Sequence, residues 1–144
     1  MAIGAAALFA LLIAAQSWHA AASGPKDERT LVKIKPEWKA HLKYDMRNGL
    51  LPTVQSIINA LAEGDMKAAA AAARTRGMAH MKKMNKQMMA ELPMGMKAIG
   101  KPMHLAFDAV ANEAETSGNP KAVLGKLGDV ITFCTSCHNA YRLD

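Results

Sequence analysis

A chain of 144 residues that is 51% hydrophobic can fill one domain core, and a net charge of +6 at pH 7 is too modest for a disordered polyelectrolyte. Aromatic residues make up only 5% while Ala and Met are abundant, so helix is favoured over sheet. No dense Lys/Arg run interleaved with aromatics is present, which argues against nucleic acid as a partner.

Residues 1–22 read as a secretory signal: Ala5 to Ala15 is an apolar run too short for a membrane span, and Ala20-Ala21-Ala22 offers small residues for cleavage. No Lys or Arg precedes that run, so an uncleaved membrane anchor stands as the rival reading. Residues 23–35 are polar, contain Gly24-Pro25, and read as a flexible N-terminal tail.

Four helical stretches are expected over 36–144. The first opens near Pro36 and places Trp38, Leu42, Met46, Leu50, Val54, Ile57, Ile58 and Leu61 on one stripe, with Pro52 kinking or splitting it and Gly64 ending it. The second starts at an Asp65 cap, runs through the Ala68–Ala73 block toward Met88, and breaks at Leu92-Pro93-Met94-Gly95. The third spans about Met96 to Glu115, with Ile99, Met103, Ala106, Phe107, Val110 and Ala114 on one side. Pro102 makes its start ambiguous. The fourth is capped by Asn119, has Pro120 at its first position, and aligns Val123, Leu127, Val130, Cys134, Cys137 and Tyr141. Four amphipathic helices on short connections predict an all-α, antiparallel four-helix bundle.

The chemistry is concentrated in the last stretch. Cys134-Thr135-Ser136-Cys137-His138 is a C-x-x-C-H sequence, the attachment pattern of haem c. Thiols at i and i+3 share a helical face and can each add to a porphyrin vinyl group, and the next residue can offer an imidazole to the iron. A structural zinc site wants four ligands, and these are the chain's only two cysteines. A thioredoxin-like redox pair would open a helix in an α/β fold, whereas this pair closes an all-α chain. The motif therefore predicts one covalent haem c on Cys134 and Cys137, with His138 as the proximal iron ligand. Met78, His80, Met81, Met84, Met88 and Met89 form a methionine-rich cluster, readable as core packing, a docking surface or a Cu(I) site. Neighbouring Lys82, Lys83 and Lys86 disfavour the cation.

The ending Cys134-Thr-Ser-Cys137-His138-Asn-Ala-Tyr141-Arg142 resembles the C-terminus of the cytochrome c-prime family, whose attachment motif also lies in the last of four helices and is followed by an aromatic residue and an Arg. The likeness covers about residues 36–144 and rests on layout outside the motif. It implies a bundle with the haem inside and its edge partly exposed, and it implies a contact from Arg142 to the haem propionates or the proximal side. Low-spin members of that family place a Met of the first helix on the iron, often followed by Arg, and Met46-Arg47 matches that pattern. High-spin members leave the position open and bind small gases. His41 and His104 are weaker candidates for that position, and Lys43 and Arg47 are cations that could pair with a propionate.

The resulting expectation is a periplasmic monohaem electron carrier cycling Fe(III)/Fe(II), docking redox proteins through acidic surfaces on the partner. The alternative is a five-coordinate haem protein binding NO or CO. No catalytic dyad or triad is visible, so no enzyme is expected. Members of the resembled family often dimerise through their first two helices, which makes a second copy a candidate partner.

Overall fold

The computed structural model describes residues 26–144. The expected signal segment 1–22 and residues 23–25 lie outside the described residues. The described chain is all-α, with a single two-residue strand pair.

The first expected stretch is one continuous run with a defect in it. Helix α1 (Pro36–Asp45) passes through a π-helical turn (Met46–Leu50) into α2 (Leu51–Glu63). Pro36 stands at the helix start, where a missing N–H costs nothing. Pro52 neither ends nor splits the helix. Its missing donor falls where the ladder has already widened, the Leu51 N–H reaching back five residues to Met46 O. The inserted residue also re-phases the stripe. Leu42 and Ile57 are buried and Trp38, Met46, Leu50, Val54 and Leu61 half-buried, while Ile58, expected to face inward, is exposed. Tyr44 and Leu51 are exposed on the same run. Gly64 ends α2 at φ 72°, a left-handed cap that a side chain would strain.

The second expected stretch is divided in three: α3 (Met66–Arg74), α4 (Met78–Met81) and α5 (Lys86–Glu91). Asp65 caps α3, accepting from Ala68 N at 2.8 Å, as its sequence position predicts. The break after Arg74 is tertiary in origin. Asp108 accepts from Met78 N at 2.8 Å and pairs with Arg74 at 3.3 Å, so one carboxylate caps the new helix and anchors the end of the old one. Asn85 then caps α5, accepting from Gln87 N and Met88 N at 2.9 and 3.1 Å. Helix α6 (Met94–Thr116) starts two residues before the expected position and carries Pro102 within it. Helix α7 (Pro120–Ala140) begins as expected, with Asn119 accepting from Lys121 N at 3.0 Å.

Two apolar cores result. In the first, α2, α3, α6 and α7 pack together through Ile57, Ala69, Ala70, Ala73, Phe107, Val110, Val123, Leu127 and Val130. The alanines let α3 approach α6 closely. The second core contains Leu42, Met88 and Leu92, with Ile34, Trp38, Met84, Met89, Met96 and Leu143 against them. Much of the methionine cluster is thereby assigned to packing, Met88 being wholly buried.

Part of the segment read as a flexible tail is tied down. Strand β1 (Thr30–Leu31) pairs in parallel with β2 (Tyr141–Arg142), Thr30 opposite Tyr141 and Leu31 opposite Arg142. Val32 N donates to Arg142 O at 3.0 Å, and the Val32 side chain is buried.

Between α3 and α6 lies a polar knot. Arg76 is buried, its Nη1 at 2.8 Å from Asp45 Oδ1 and 3.2 Å from His80 Nε2, and its carbonyl accepts from His104 Nδ1 at 2.6 Å. Burial first, then the charge of Arg76, hold the His80 imidazole below its ordinary pKa of 6.5, although Asp45 pulls the other way. His104 and Lys83 also oppose protonation. The neutral ring is the form that can accept from Arg76. Below pH 6.5 the unfolded chain takes up this proton before the folded one does, so stability falls with pH until the depressed folded-state pKa is passed. Above pH 6.5 the contribution is whole. Urea midpoints measured from pH 8 to pH 5 should show this loss, and His80→Gln should flatten it; an unchanged slope in His80→Gln would refute the assignment.

Candidate functional site

The last turns of α7 place the motif by simple helical geometry. Cys134 and Cys137 lie one turn apart, both free and both half-buried, and Cys134 Sγ donates to Val130 O at 3.6 Å. Burial raises both thiols above their ordinary pKa, and for Cys137 the neighbouring Cys134 adds to the effect. Both are therefore held protonated at neutral pH.

Helix α7 stops at Ala140, and the chain turns into β2 beside the first helix. A groove of about 220 Å³ forms there, lined by Met46, Met96, Cys137, His138, Tyr141, Leu143 and Val32, with Arg29, Lys43 and Arg142 also on its walls. Five residues singled out from the sequence thus converge on one feature: Lys43, Met46, Cys137, His138 and Arg142. Cys134 stands one turn behind Cys137. The His138 side chain is exposed, and its carbonyl accepts from Arg29 Nη1 at 3.3 Å. Arg142 reaches the groove from an extended strand, not from a further helical turn.

Other candidates are placed elsewhere. His41 is exposed, and Arg47 is exposed with its Nε donating to Lys43 O at 3.1 Å. His104 is buried against the Arg76 carbonyl and does not line the groove. Among the described residues no group of three His, Cys, Asp or Glu side chains is gathered to hold a metal ion, and no helix is long and apolar enough to cross a membrane. A larger hollow of about 430 Å³ between α3 and α6 is lined by Met66, Lys67, Ala70, Ala71, Ala114 and Glu115, none of which the motif involves.

The groove's electrostatic character is cationic with borrowed anions. Asp27 pairs with Arg29 at 2.7 Å and with Arg142 at 3.8 Å, and the Arg29 contact pulls its carboxyl down to about 2. Asp144 pairs with Arg142 at 3.1 Å and Lys39 at 3.6 Å, and its carbonyl accepts from Lys43 Nζ. The buried Arg142 Nε lies within ion-pair range of Asp27 yet makes no hydrogen bond among the described residues. Such a cluster, with one donor still unmatched, suits a ligand bearing carboxylates. Arg29 was not foreseen, because it sits in the segment read as a tail.

This donor set fits a haem: two thiols on one helical face, an adjacent imidazole, a thioether from another helix, and cations for two propionates. The volume is below the 300–1,000 Å³ usual for organic ligands, so a porphyrin would need the groove to widen. Searches against family models, curated proteins and solved structures return no match for the chain.

Proposed function

We propose that this chain is an exported c-type cytochrome, an antiparallel four-helix bundle holding one haem through Cys134 and Cys137 and serving as an electron carrier. The observation that carries the reading is the convergence of Met46, from the first helix, with Cys137 and His138, from the last, on one groove. Bound haem c would supply a one-electron Fe(III)/Fe(II) couple.

The chain's own residues supply the rest. His138 follows directly on the second thiol, so attachment and axial ligation are fixed together. Met46 offers a soft thioether, and a Met/His ligand pair raises haem potential. The second apolar core, with Leu42, Met88, Leu92 and Met96, excludes water from one side of the groove. Arg29, Lys43 and Arg142 would neutralise propionates. The excess of cationic side chains in the sequence favours acidic redox partners, bound weakly and transiently.

The test is a reduced-minus-oxidised spectrum of protein matured in a periplasm, recorded with and without CO. A sharp low-spin α band, insensitive to CO, is expected of the wild type. Met46→Ala should turn it high-spin and CO-reactive. A high-spin wild type that binds CO would replace electron transfer by gas binding, and a spectrum unmoved by Met46→Ala would remove Met46 as a ligand.

A further inference from the structure

Met46 opens the π-helical turn, and that turn is clamped from outside the groove. Gly49, inside it, is buried beneath the Arg76 guanidinium. A Cβ built on Gly49 would collide with Arg76 Nη2 and with Asp45 Oδ1, so any larger residue would push this pair from its present place. Arg76 Nη1 bonds Asp45 at 2.8 Å, and Asp45 immediately precedes Met46. The Arg76 side chain is only 11% exposed, and both of its ends are held, the guanidinium also by His80 and the carbonyl by His104 of α6. The clamp therefore joins the α3–α4 connection and α6 to the one irregular turn of the first helix.

That turn decides which way the helix faces on either side of it. Before it, Leu42 and Trp38 pack into the second core; after it, Ile57 and Ala60 pack into the first. A regular α-helical ladder through 46–50 would remove the inserted residue and swing one half by about 100° relative to the other. Met46 sits at the joint.

We propose that Arg76 is a positioning residue for the Met46 thioether: through Asp45, and over Gly49, it holds the π-helical turn that aims Met46 into the groove. The proposal rests on Met46 being the sixth ligand. A buried guanidinium, held through Nη1 by Asp45 and His80, is a costly way to stabilise a helix surface, and it is suited to fixing one local geometry.

The experiment compares holoproteins carrying Arg76→Leu, Arg76→Lys, Gly49→Ala and Met46→Ala with the wild type. Optical spin state, CO-binding rate and reduction potential are read alongside far-ultraviolet circular dichroism and amide exchange over residues 46–51. Arg76→Leu and Gly49→Ala should keep wild-type helicity, exchange at least about tenfold faster over this turn, and become partly high-spin with CO binding raised at least about tenfold. Arg76→Lys, which keeps the charge facing Asp45 but loses the planar fork, should fall between and serves as the test if the other two fail to fold. Variants that fold with wild-type spin state, potential and CO rate, while Met46→Ala changes all three, would overturn the positioning role alone. A Met46→Ala holoprotein identical to wild type would remove the ligand and the proposal together.

Discussion

Replacing both thiols, as Cys134→Ala/Cys137→Ala, should abolish covalent haem completely: the matured chain should weigh only its amino acids and give no haem stain after denaturing electrophoresis. The wild type should weigh one haem more and keep its stain. The effect is all-or-none because a thioether does not dissociate, whereas a haem held only by His138, Met46 and propionate contacts is lost when the fold is lost. Each single variant should keep one thioether and retain stain at reduced yield. The thiols are half-buried, and burial raises both above their ordinary pKa, which disfavours the reactive thiolate. A colourless, unmodified wild-type chain recovered from a periplasm competent for cytochrome maturation would end the haem reading.

Phe107→Ala should cost about 3–5 kcal/mol of folding stability, a large share of the roughly 5–15 kcal/mol available to a domain of this size. Phe107 is wholly buried in the first core, the largest side chain there, and it shares that core with Ala69, Ala70, Ala73, Ala111 and Ala114. Alanines cannot grow into the cavity, so little of the loss is recovered by relaxation. Urea unfolding should show a lowered midpoint with an unchanged slope. Leu124→Ala is the matched control: Leu124 is 55% exposed and should move stability by less than about 0.5 kcal/mol. Equal effects at the two positions would mean that the packing of α6 against α7 is misassigned.

The starts of α1, α3 and α7 were legible in the sequence because caps act locally. Asp65 and Asn119 bond amides two or three residues away, and Pro36 and Pro120 satisfy a purely steric rule. The two thiols and His138 were legible for the same reason, being a short-range spacing. The local Asn85 cap of α5 went unread; the other failures were set at a distance. Helical periodicity continues past Arg74, yet the helix ends there because Asp108, far along the chain, supplies a cap to Met78. Ile58 lies on the same regular helix as Ile57, about 100° round it, and is exposed because α2 turns only a narrow arc to the first core. Val32 and Arg29 looked like tail residues because the partners that order them, Arg142 and His138, lie more than a hundred positions on. Met46 was placed by resemblance to a family pattern, and its convergence with His138 is a fact of tertiary structure alone.

The parallel pairing of Thr30–Leu31 with Tyr141–Arg142 uses nearly the whole described chain as its crossover connection. Closing so long a loop for a two-residue ladder returns little enthalpy for the entropy surrendered. This contact should be the last to form as the chain folds and among the first to breathe in the finished molecule. The wall of the groove formed by Tyr141 and Arg142 is thus its most yielding side, the one through which a bulky planar guest could be admitted while the first core stays shut.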